Sequence, residues 1–323
     1  MVAAAATIVV ATACSGSAAA NRPKVEGSRT AASVATTAPL KVVATYDAKA
    51  LGIKMAQALA LGPDGNLYLT DASQRVVVVS PAGKPLRTWG GPGGEPGKFR
   101  FVANDPSDPT HLQARIGVSP GGTVYVSDSG NHRVEAFTPA GKYVRAYGSP
   151  GNGLVRFLDP FDLVADKAGN LYVADDQLET LSKLSPSGKL LWRIGGFTEK
   201  NADLIGHMHL ETIDEHARLV VSVDDAKRIL FVDERGHVVE AFGDASVLPD
   251  SSCDATVDAA GNIWTAGCGI NKGELLDRSH HPVAHWSTID GHDMETAPRW
   301  AQDGLGYFLS SDGTVVVVRS TVR

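Results

Sequence analysis

The chain has 323 residues, 43% hydrophobic and 20% charged, an ordinary globular composition long enough to bury about three quarters of its unfolded surface. Its 36 acidic and 30 basic side chains give a net charge of −6, and no block of Lys or Arg occurs, which argues against nucleic acid as a partner. Glycine is in excess at 34 residues, and it falls at regular places between short apolar runs, which points to strands and tight turns rather than helices.

At the N-terminal end, residues 3–13 (AAAATIVVATA) form an apolar run that stops at Cys14 and is too short to span a bilayer. With Ala11-Thr12-Ala13 just before Cys14, residues 1–14 resemble the signal and lipobox of a bacterial lipoprotein. That resemblance implies lipid on Cys14, export to the bacterial cell surface or periplasm, and membrane contact through the lipid anchor only. Residues 15–39 are rich in Ala, Ser and Thr and lack large apolar side chains, so a disordered tether is predicted.

Residues 40–323 are built from one unit, clearest at 116–148, IGVSPGGTVYVSDSGNHRVEAFTPAGKYVRAYG. It reads as strands at 116–118, 123–127, 134–138 and 142–147, with turns at Pro120-Gly121-Gly122, at 128–133 and at Pro139-Ala140-Gly141. The unit recurs at 59–90 and 161–195, and more weakly at 210–243, 254–286 and 298–319. Asp71, Asp128 and Asp175 follow the second strand, and Gly83, Gly141 and Gly188 mark the third turn. Four-stranded units at about 40–50-residue spacing mean an all-β, six-bladed β-propeller. The last unit lacks a fourth strand. Residues 40–46, LKVVATY, are similar to the fourth strands KPLRTW and KYVRAY, and they are predicted to pair with 315–318 and close the ring.

The motifs GNLYLTD at 65–71, GNLYVAD at 169–175 and SDSGNHRV at 127–134, with the linkers GGPGGEPGKF at 90–99 and GSPGNGLVRFLDP at 148–160, resemble NHL repeats. Blades four to six depart from the pattern, with Cys268 near the Asp position of blade five and Ser310 in that of blade six. The resemblance implies ligands on the face where the channel-lining first strands begin. It does not choose an activity, because such propellers host binding modules, lyases and lactonases alike.

Alignment on the turn glycines Gly65, Gly122, Gly169 and Gly261 places Ala58, Arg115, Asp162 and Asp254 at the start of the first strands, with Glu211 in blade four and Ala297 in blade six by looser alignment. Arg115, Asp162, Glu211 and Asp254 are therefore the candidate ligand-binding residues. The alternative is a hydrated channel mouth in which Arg115 neutralises its neighbours. The stretches GHMHLET at 206–212 and GHDMET at 291–296 are alike and both precede a first strand. His207, His209 and His292 are the candidate donors for a divalent metal, Zn²⁺ or Ca²⁺. The resemblance to peptidyl-hydroxyglycine lyases would use such histidines; a gluconolactonase-like site would use the carboxylates. Cys253 and Cys268 face each other across the predicted hairpin of blade five, and a disulfide there would close a ~15-residue loop worth about 3 kcal/mol in an oxidising compartment. The pairs Asp71/Arg75, Asp128/Arg133 and Asp224/Arg228 read as structural ties at the turn between the second and third strands. The expected function is binding by a monomer of a protein, glycan or small ligand at the channel face; the alternative is a metal-dependent lyase or lactonase.

Overall fold

Each second and third strand of the repeat is an almost unbroken apolar run. A strand of that kind must be covered on both faces, and sheets packed face to face around a ring satisfy this. The computed structural model describes residues 39–103, 112–149, 155–195, 207–223, 227–243, 252–267 and 272–322. The predicted units form six four-stranded antiparallel sheets. Their first strands are Ala56–Leu61, Ile116–Val118, Pro160–Ala165, Met208–Ile213, Ser252–Val257 and Arg299–Trp300. Hydrophobic clusters lie between neighbouring sheets. At the joint of blades six and one, Leu59, Leu69 and Val77 pack with Tyr307, Leu309 and Val317, all buried. Each such side chain contributes about 1.5–3 kcal/mol by leaving water.

The ring closes as the sequence predicts. Leu40–Tyr46 pairs antiparallel with Val315–Ser320, from Leu40 opposite Ser320 to Tyr46 opposite Val315. Tyr46 then donates its hydroxyl to the Pro81 carbonyl of blade one at 2.6 Å, so the borrowed strand is anchored on both sides.

Two sets of β-bulges shape the ring. In every fourth strand one residue is skipped in the pairing: Val43, Leu86, Val144, Leu191, Val239 or Val283. These same residues are exposed on the outer rim. A bulge at that place twists an exposed strand away from pairing with another chain. In the first strands the skipped residues are Gln57, Phe161, Glu211 and Cys253.

The repeated Asp after the second strand ties in the chain arriving from the preceding blade. Asp71 accepts from the Lys54 and Met55 amides and Asp128 from the Arg100 amide at 2.7 Å. Arg75 and Arg133 hold those carboxylates at 2.7 and 2.8 Å, which is the structural role read from the sequence. In blade six the roles are exchanged: Ser310 stands just after the strand, and Asp293 of the incoming chain accepts from the hydroxyls of Ser310 and Ser311. Residues 1–38, Asp224 and Cys268 lie outside the described residues.

Because only residues 40–46 complete blade six, deleting residues 39–46 should lower the melting temperature by at least about 5 °C. Deleting 15–37 should leave it unchanged. Equal melting temperatures for the two deletions would contradict the closure.

Candidate functional site in the central channel

Strand pairing gives an internal ruler for comparing blades. In blade four the last residue of the second strand, opposite Arg228, is Val223 and not Asp224 as the sequence alignment had it. The last-but-one residue of the second strand is Thr70, Ser127, Ala174, Ser222 or Ala266 in blades one to five. Its first-strand partner is Ala58 in blade one, Asp162 in blade three, His209 in blade four and Asp254 in blade five. In blade two it is Arg115, whose amide donates to the Ser127 hydroxyl at 2.8 Å and whose carbonyl accepts from the Ser127 amide at 3.0 Å. The sequence alignment therefore needs one correction: His209, not Glu211, takes this place in blade four. Blade four has Ala217 where the other turns have glycine; the spacing used in the other blades reaches Leu210 from it, and the bulge at Glu211 moves the partner of Ser222 one further, to His209.

These strands surround a cavity of about 600 Å³, with Arg115, Asp162, Thr212, Thr256, Thr296 and Arg299 among its polar walls. Arg115 is half-buried, its guanidinium 4.8 Å from the centre of the Phe161 ring. The bulge in blade three puts Phe161 there. Among the described residues, no hydrogen bond engages the Arg115 guanidinium. Asp162 is 6% exposed and accepts from the amides of Leu163 at 2.7 Å and Leu210 at 3.1 Å. His209 Nδ1 lies 4.0 Å from the same carboxyl, and its ring meets Phe161 edge-on at 5.1 Å. Burial pushes the Asp162 carboxyl up from its ordinary value, and the neighbouring Arg115 and His209 oppose that rise.

Across the channel, Arg299 donates to both oxygens of Asp254, at 2.9 and 3.1 Å, and to the Ala297 carbonyl at 3.2 Å. Asp254 is 4% exposed. Thr256 donates to the Pro298 carbonyl at 2.9 Å, so blades five and six share this wall. Sequence reading named Asp254 but missed Arg299. The alternation of a strand from Ala297 to Arg299 is the signal that could have found it.

The three histidines separate. His209 is buried behind Asp162. His207 is 63% exposed and pairs with Asp176 at 3.0 Å, outside the first strand. His292 lies in the link between blades five and six, in a tight turn with Ile289. Among the described residues, no three His, Cys, Asp or Glu side chains are grouped so as to hold a metal ion. Cys253 sits in the bulge of its strand, with Ser252 paired to Gly267; its expected partner, Cys268, is outside the described residues.

The profile of the NHL repeat matches residues 114–137, the first three strands of blade two. No curated protein matches the chain. Among solved structures, a streptogramin B lyase is similar at 11% identity and a TM-score of 0.58, over 87% of this chain and 97% of that one. A catalytically inactive virginiamycin B lyase from Staphylococcus aureus with quinupristin is similar at 14% identity and a TM-score of 0.56, over 82% and 80%. A protein of unknown function from Bacteroides caccae is similar at 15% identity and a TM-score of 0.52, over 72% and 81%. At these identities the likeness establishes the propeller fold alone.

Two outcomes follow from the geometry. Asp254→Ala leaves the Arg299 charge without its carboxylate, and a loss of about 2 kcal/mol or more is expected, largely recovered in the Asp254→Ala/Arg299→Met double variant. Additive losses would contradict the pairing. Burial raises Asp176 to about 6, with His207 opposing. Its folded value exceeds its unfolded one, so the penalty is full above that pH and fades as pH falls to the ordinary carboxylate range. Asp176→Asn should thus raise the melting temperature near neutral pH and lose the advantage in acid; a difference independent of pH would contradict the assignment.

Proposed function

We propose that the chain binds a small ligand carrying an anionic group inside its central channel, and that Arg115 receives that group. The observation that carries the reading is the contrast between the two channel arginines. Arg299 is neutralised by Asp254 through two hydrogen bonds. Arg115 lies against Phe161 with its guanidinium uncommitted among the described residues. A planar fork held on an aromatic face is suited to a carboxylate or phosphate. Two arginines face two carboxylates, Asp162 and Asp254, so local hydrogen bonds rather than a long-range field must select the ligand. The cavity of about 600 Å³ suits a small molecule better than a protein loop or long glycan.

The test is calorimetry with a panel of small carboxylates and phosphate esters. Arg115→Ala should weaken binding by about tenfold or more, and Arg115→Lys should restore part of it. Unchanged affinity in Arg115→Ala would contradict the reading.

A second reading is a lyase. It is favoured by the similarity to streptogramin B lyase propellers and by the Asp162–His209 pair beside Arg115. Asp162 would then take a proton from the substrate, with Arg115 holding the charge that develops. Consumption of quinupristin, followed by chromatography, is the check: loss of the parent compound with the wild type but not with Asp162→Asn supports it, and equal loss with both contradicts it.

The setting we propose is outside the cytoplasm, with the propeller tethered through lipid on Cys14. The apolar run ending at Cys14 and the polar residues 15–39 support it. Full-length chain made in a bacterial host should incorporate labelled fatty acid, and Cys14→Ser should not; label retained in Cys14→Ser would contradict the anchor.

A further inference from the structure

In a repeat protein each blade serves as a control for the others. At four joints an aromatic or arginine side chain of one fourth strand latches onto the next blade's turn between its third and fourth strands. Tyr46 donates to the Pro81 carbonyl at 2.6 Å, Arg87 to Pro139 at 2.9 Å, Tyr147 to Pro186 at 3.1 Å and Trp192 to Glu234 at 2.9 Å. Each of those turns carries a glycine against the aromatic ring. A Cβ on Gly83 would come within 2.5 Å of Tyr46, and one on Gly141 within 2.6 Å of Trp89.

The joint of blades four and five departs from this at every place. The aromatic is Phe242, which has no donor, and among the described residues nothing in blade four reaches the Arg278 carbonyl. His280 replaces the glycine, in the left-handed region at φ 64°, with its ring stacked on Phe242 at 3.9 Å. Arg218 stands where blades one, three and five have Asn66, Asn170 and Asn262. It bonds Asp214 at 2.7 Å and crosses to Glu240 at 2.6 Å, and Glu240 in turn lies 3.4 Å from His280. Arg218 also lies over Phe231, 4.2 Å from the ring centre. Departures from three separate stretches of sequence, Arg218, Glu240 with Phe242, and His280, therefore meet in one place. Beside them is a second cavity of about 240 Å³, and two of its walls, Thr212 and Val257, are also walls of the channel.

We propose that the joint of blades four and five is an acid-sensitive seam in the ring, and that its loosening regulates the channel site. The regulatory half rests on the channel-binding reading; the seam does not. The hydrogen-bonded latch of four other joints is replaced here by a stack on a half-buried imidazole. The charged groups around His280 are Glu240 and Arg218 from blade four and Asp277, Arg278 and His281 from its own turn. Asp214, Glu215, His216 and Asp258 line the adjoining cavity. Burial is the largest influence on His280 and lowers it from its ordinary value; Arg218 and His281 act in the same direction, and Glu240 and Asp277 oppose them. The unfolded chain therefore takes up this proton first. Stability from the stack is full above the ordinary histidine range and is lost as pH falls through the folded value. Loosening moves Thr212 and Val257, and with them one side of the channel.

Hydrogen exchange of the full chain without ligand, corrected for the intrinsic pH dependence, tests the seam. From neutral to mildly acidic pH, opening of Arg228–Val232, Val238–Phe242 and Gly273–Leu276 should rise several-fold more than opening of the strands of blades one to three. His280→Asn keeps a residue tolerant of the left-handed region but removes the titration, and should abolish that difference. His280→Gly, which restores the repeat, should do the same. Phe242→Tyr supplies a donor and should slow opening at both pH values. A rise shared equally by all joints, no rise at all, or a full rise retained in a folded His280→Asn or His280→Gly protein overturns the seam. Affinity for the small carboxylates and phosphate esters that depends on Arg115 but is equally insensitive to pH in wild type and His280→Asn overturns the regulatory half alone. Affinity independent of Arg115 faults the channel reading and leaves the exchange result standing.

Discussion

The antiparallel pairing of Leu40–Tyr46 with Val315–Ser320 is the constraint on which the rest depends. No blade contains a complete site. Arg115 comes from blade two, Asp162 and Phe161 from blade three, His209 from blade four, Asp254 from blade five and Arg299 from blade six. They converge only because six first strands are held around one axis, and that axis exists only when the ring is shut. An open ring would also present the apolar strand Val315–Ser320 as an unprotected edge. Closure thus serves solubility, stability and the site through one set of hydrogen bonds.

Bulges give this regular scaffold its local variety. On the rim, one exposed aliphatic residue in each fourth strand is skipped in the pairing, and the outer edge is blunted without loss of the sheet behind it. Inside, the bulge of blade three turns Phe161 toward Arg115 and leaves Asp162 to accept two amides, from its own strand and from blade four. A buried carboxylate with amide donors and a nearby arginine is tolerable where an isolated one is not. The same carboxylate is thereby fixed in place behind the open guanidinium.

The fold was legible in the sequence because a propeller repeats its signals. Glycines at the turns, Asp after the second strand and a stray strand at residues 40–46 were enough to give blade number and closure. The site was half legible. Arg115, Asp162 and Asp254 were found by counting from turn glycines. In blade four that count failed by two: Ala217 adopts the turn conformation without being glycine, so the count began one residue late, and an inserted residue, Glu211, displaces the register by one more. A bulge leaves no mark in composition or periodicity, so His209 could be placed only by its partner Ser222. Arg299 escaped because its blade carries a short first strand, and His280 because a histidine in a turn looks like any solvated loop residue until Phe242 is seen beneath it.

Blades two to five share the propeller frame yet differ at one channel position, as Arg, Asp, His and Asp, while blade one carries alanine there. The repeat supplies the frame, and the channel function lies in these differences. The guanidinium of Arg115 is the point at which that account is most exposed. Side-chain arginine NMR measures it directly, with the Arg115 Nε–H signal identified by its loss in Arg115→Lys and followed as small carboxylates and phosphate esters are added. The account predicts a saturable shift of the Arg115 signal while that of Arg299, already held by Asp254, stays put. Saturable binding that moves other signals and leaves Arg115 unmoved would contradict it.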